Sequence, residues 1–142
     1  MTATPAKVAL AALSAIVLLV GCSKGAEALG EVGDPGDVSQ VIEISASDEL
    51  RFDPSEIDVA AGETVEFKVT NDGRSPHEFV LGPAHEHEEG MQHGPDNATG
   101  EIAPGDTASV IWSFPESGET EFACHIADHD KSGMTGTVTV SE

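Results

Sequence analysis

Residues 124–134 read CHIADHDKSGM, a cysteine, two histidines and a methionine between a strand-like TEF and a strand-like TGTVTV. A strand ending in FAC delivers Cys124 to the rim of a β-scaffold, and the next strand begins near Thr135. The single loop between them can fold three donors onto one point: Cys124, one of His125 and His129, and Met134. A fourth donor comes from SPHEFV, where His77 opens another strand directly after the NDGRSP turn. One thiolate, two imidazoles and a long, weak thioether form a donor set for copper. Soft sulfur favours Cu(I) and imidazole tolerates Cu(II), so rigid strands holding a compromise geometry keep rearrangement between oxidation states small. Zinc accepts cysteine and histidine too, but its structural sites pair cysteines as C-x2-C and use no methionine.

The elements that must position these donors follow from hydrophobic periodicity. From Val41 onward VIEISA, EIDVA, TVEFKVT, EFVL, ASVIWSF, TEFAC and GTVTV alternate apolar and polar residues and are rich in Val, Ile, Phe and Thr. DP, AG, NDG, APGD and PESG supply the turns between them. The pattern predicts an all-β fold, a two-sheet antiparallel Greek-key sandwich over residues 41–142. Phe52, Ile57, Phe67, Val69, Phe79, Val110, Trp112, Phe122, Val138 and Val140 are the expected inward residues. Residues 82–98, GPAHEHEEGMQHGPDNA, break the alternation and read as an acidic loop or a short irregular helix at one end.

Several motifs together resemble the cupredoxins. Phe52 to Phe67 read F-x-P-x-x-I-x-V-x-x-G-x-x-V-x-F, followed by N-D-G-x-x-P-H-E-F and then by C-x4-H-x4-M from Cys124 through His129 to Met134. The likeness covers nearly all of 41–142. It is closest to cupredoxin-like bacterial copper-binding proteins carrying HEFVLG, a His/Glu/Met-bearing insert and EFACH. The resemblance implies one type I copper site held by His77, Cys124, His129 and Met134. In the family the loop often reads C-x-x-P-G-H-x-x-x-G-M, which puts the ligand at His129. An extended chain agrees, because His125 follows Cys124 directly and points the opposite way. His125 is then expected outward or on a nearby carboxylate. ADH at 127–129 stands where Pro-Gly-His is common, and Asp128 and Asp130 flank the ligand. Such carboxylates stabilise Cu(II), so replacing Asp128 by glycine is expected to raise the reduction potential. Asn71 and Asp72 read as turn formers, with a hydrogen bond from this turn to the Cys124 sulfur as the functional alternative.

The N-terminus carries an address. Residues 1–22 have one lysine, Lys7, then an apolar run from Val8 to Val20 and no acid. That is the layout of a secretory signal peptide, too short for a spanning helix with proper flanks. Its ending, LVGC, resembles a bacterial lipobox, which makes Cys22 the lipid-modified first residue of an extracytoplasmic, membrane-anchored protein. With Cys22 carrying lipid, Cys124 is left alone in an oxidising compartment, where a thiol needs an occupant such as a metal. Residues 23–40 are rich in Gly, Ala and acids and read as a flexible linker, spanning roughly 25 Å as a coil.

The formal charge is −20, and all 26 acids lie beyond residue 22 with five of the six Lys and Arg. This surface argues against nucleic acid and suits a basic partner or a cation. There is no phosphate-binding glycine loop and no G-x-S-x-G, and a papain-type role for Cys124 leaves Met134 unexplained. The expected function is non-enzymatic: one-electron transfer with a redox protein partner, or copper delivery or buffering with a copper acceptor. His85, His87, Met91 and His93 match no defined metal geometry, and read as a solvated charged loop with auxiliary copper binding as the alternative.

Overall fold

The computed structural model describes residues 29–82 and 96–142. The leader with Cys22 and the stretch holding His85, His87, Met91 and His93 lie outside the described residues. The described strands are β1 (Glu31–Val32), β2 (Gln40–Ser47), β3 (Arg51–Asp53), β4 (Glu56–Ala60), β5 (Glu63–Asn71), β6 (Val80–Gly82), β7 (Thr107–Phe114), β8 (Gly118–Ala123) and β9 (Thr135–Ser141). They form two packed sheets, in the orders β1-β7-β5-β2-β3 and β4-β9-β8-β6.

Period-two patterning builds both layers. In β4 the buried Ile57 and Val59 alternate with exposed Glu56, Asp58 and Ala60. In β5 the inward set runs Val65, Phe67, Val69 and then Asn71, so the last core position is polar. Every predicted inward residue is buried. Phe52 meets Phe79 and Phe122 edge-on, with centroids 5.8 and 5.3 Å apart, and Phe67 stacks on Phe79 at 5.5 Å. These rings join the two sheets beneath the donor-bearing pole.

Two expectations need correction. The sheets are mixed rather than purely antiparallel, since β2 pairs with β5 in parallel, as does β4 with β9. After β3 the chain leaves the first sheet, adds β4 to the edge of the second, and returns as β5 beside β2 in the same direction. Crossovers of this kind allow parallel neighbours that hairpins do not. The linker expected over 23–40 is also not free along its whole length. Glu31 and Val32 pair with Ser113 and Trp112, the Trp112 indole donates to the Leu29 carbonyl at 2.8 Å, and Ser39 N donates to Thr64 O at 2.9 Å. An edge strand of two residues has no hydrophobic period to read, because backbone pairing and one indole hydrogen bond hold it.

This strap fixes a direction. Thr107 pairs with Thr70 near the turn that carries His77, whereas Phe114 pairs with Glu63 at the far end. Leu29 to Val32 lie along Trp112 and Ser113 and over Gly118, so the chain enters the domain at the pole opposite His77 and Cys124.

Candidate metal centre

His77 follows the end of β5 at Asn71 by six residues, and a bridge to Ile102 holds its backbone. His77 N donates to Ile102 O at 3.2 Å, and Ile102 N donates to His77 O at 2.7 Å. The turn before it is fixed from inside by Asn71. Its side-chain amide donates to Ser75 O and Ile102 O, both at 2.8 Å, and its Oδ1 accepts from Gly73 N at 2.9 Å. From outside, Asp48 Oδ1 accepts from the Arg74 and Ser75 amides at 2.8 and 3.1 Å, and these bonds hold its carboxyl at about 2. Asn71 is therefore a turn former, as read from the sequence. The hydrogen bond to the cysteine sulfur comes instead from the residue after His77, with Glu78 N donating to Cys124 Sγ at 3.4 Å.

The second segment starts where β8 ends. Cys124 N donates to Met134 O at 3.1 Å, Asp130 N to Cys124 O at 2.8 Å, and Met134 N to His129 O at 3.0 Å, so the loop closes on itself. Two 3-10 turns, Ile126–Asp128 and Asp130–Ser132, carry His129 between them. Ala127 and Asp128 adopt φ of 51° and 57°, left-handed values at the two positions where the family commonly has Pro-Gly. Proline, with φ fixed near about −65°, could not take the backbone of Ala127, so this loop departs from the common one in shape as well as sequence. Gly133, at φ 98°, makes the left-handed turn into Met134.

His77, Cys124 and His129 converge, with one donor atom from each lying within 4.8 Å of the others. Cys124 Sγ is 3.5 Å from His129 Nδ1, and the two imidazole centroids are 5.2 Å apart. Met134 is fully buried, with its backbone bonded to both Cys124 and His129. His125 lies outside the cluster: its amide donates to Glu78 Oε1 at 3.1 Å and its Nδ1 lies 3.7 Å from the same oxygen. The sequence offered no signal for Ile102, whose pairing with His77 depends on a long-range bridge.

The donor chemistry fits a copper ion. Among the described residues neither ring nitrogen of the buried His77 has a hydrogen-bond partner, a costly arrangement for an imidazole unless a ligand takes one of them. Burial holds His77 below its ordinary pKa, helped by His129, and so keeps it neutral for binding. Burial pushes the Cys124 thiol up, against the opposing Glu78 and Ile126 amides. Copper uptake must then expel the thiol proton. Where both imidazoles are neutral and the pH is below the thiol pKa, one proton leaves per copper bound, and apparent copper affinity is expected to rise about tenfold per pH unit, as competition titrations at several pH values would read. Asp128, by contrast, accepts from Lys131 Nζ at 2.7 Å, which holds its carboxyl below the usual range. Its charge is compensated and exposed, so Asp128→Gly is expected to raise the reduction potential only slightly, measured by potentiometric titration.

The model of copper binding proteins of the plastocyanin/azurin family matches residues 38–141. The copper-resistant cuproprotein CopI of Rubrivivax gelatinosus is 40% identical over 120 residues, covering 78% of this chain and 72% of its own. CopI of Pseudomonas aeruginosa is 30% identical over 179 residues, covering 96% and 98%. Among solved structures, auracyanin from Roseiflexus castenholzii superposes with a TM-score of 0.62 at 24% identity, covering 74% of this chain and 99% of that one. Auracyanin B gives 0.66 at 20% identity, covering 83% and 100%. The two structures share the fold, and the sequence relatives share the lineage. The chain belongs to the plastocyanin/azurin family of copper-binding proteins, and its cofactor is a single type I copper ion.

Proposed function

We propose that the protein is a one-electron carrier held outside the cytoplasm by a lipid on Cys22, with His77, Cys124, His129 and Met134 holding the copper. The observation that carries this reading is the enclosure of the donors. His77, Cys124 and Met134 are fully buried while His129 is partly exposed. Bound copper supplies a Cu(II)/Cu(I) couple. The chain's own residues limit rearrangement: Asn71 and Ile102 fix the His77 backbone, and the closed loop fixes Cys124, His129 and Met134. The exposed edge of His129 is the natural electron port. Enclosure of the other donors leaves little access for a substrate, which supports a carrier rather than an enzyme.

The partner is a redox protein, and the acidic surface favours a basic one. The strap enters at the pole opposite the donors, so an anchor at Cys22 leaves the His129 edge turned toward the aqueous side. A second reading, copper buffering or delivery, draws on the CopI relatives, which are named copper-resistant. Redox cycling of the copper-loaded chain separates the two. Repeated one-electron cycles without loss of metal support the carrier; transfer of copper to an acceptor without a stable couple supports delivery.

A further inference from the structure

Two side chains outside the donor set meet beside the sulfur. Glu78 follows His77 and His125 follows Cys124. The Glu78 amide donates to Cys124 Sγ at 3.4 Å, while its carboxylate reaches across to the other segment. There Oε1 accepts from the His125 amide at 3.1 Å and lies 3.7 Å from His125 Nδ1. Both side chains are largely withdrawn from water, at 21% and 20% exposure. The carboxylate thus ties the His77 segment to the Cys124 segment. We propose that the negative charge Glu78 holds there tunes the copper centre, favouring Cu(II) over Cu(I).

The proposal rests on the copper reading above. Tie and charge are separable. The tie needs only an acceptor at Oε1, which a glutamine also provides. The charge needs the carboxylate. Reduction adds one negative charge at the metal, so a nearby fixed negative charge disfavours the reduced state and lowers the potential, more strongly where water is scarce.

The test uses the full chain and its Glu78→Gln and Glu78→Ala variants. With one equivalent of copper, Glu78→Gln is expected to keep the visible spectrum and to show a higher reduction potential than the parent. In the copper-free protein, Glu78→Ala is expected to exchange the His125 amide hydrogen faster, with Glu78→Gln restoring protection. An unchanged potential in Glu78→Gln overturns the charge, and unchanged exchange in Glu78→Ala overturns the tie. If the parent shows no type I spectrum, the copper reading has failed instead, and the exchange comparison still decides the tie.

Discussion

Cys124→Ser is expected to abolish the intense thiolate-to-copper absorption and to weaken copper binding by orders of magnitude. Serine is close in size, so the buried position remains filled and the fold is retained. What disappears is the soft, ionisable donor that favours copper and couples it electronically to the protein. The Glu78 amide, now 3.4 Å from sulfur, would face a hydroxyl that does not ionise in this range. Optical titration beside circular dichroism checks both halves. A folded variant that retained the band would show that the thiolate is not the source of the colour.

Asn71→Ala is expected to cost roughly 2–4 kcal/mol of stability and to weaken copper binding with it. The side chain is fully buried and makes three hydrogen bonds, to Ser75 O, Ile102 O and Gly73 N. Alanine leaves buried backbone groups without that partner at the turn which aims His77. Ile102 O keeps its bond from His77 N, which limits the loss. Urea unfolding of the copper-free protein gives the change in stability, and copper competition gives the change in binding. A variant as stable as the parent would mean that the turn holds itself.

The sequence was informative where a local pattern carries the physics. EIDVA and TVEFKVT show their buried face by alternation, and the strands observed there match that face. The donors were legible because Cys124, His129 and Met134 share one loop and His77 stands at a turn. The same alternation that buries Val65, Phe67 and Val69 also reaches Asn71, a signal available from sequence but read only as a turn. Long-range geometry was not legible. The parallel pairing of β2 with β5, the strap on Trp112 and the Ile102 bridge depend on which segments meet, and no local period encodes that.

The function of this pole depends on donors from two distant segments holding one copper ion between a thiolate and imidazoles. Electron paramagnetic resonance of the full chain with one equivalent of Cu(II) tests it most directly. Narrow copper hyperfine coupling, lost in both His77→Ala and Cys124→Ser, is the predicted result. Wide coupling of an ordinary tetragonal site, unchanged by either substitution, would place the metal elsewhere and contradict the account.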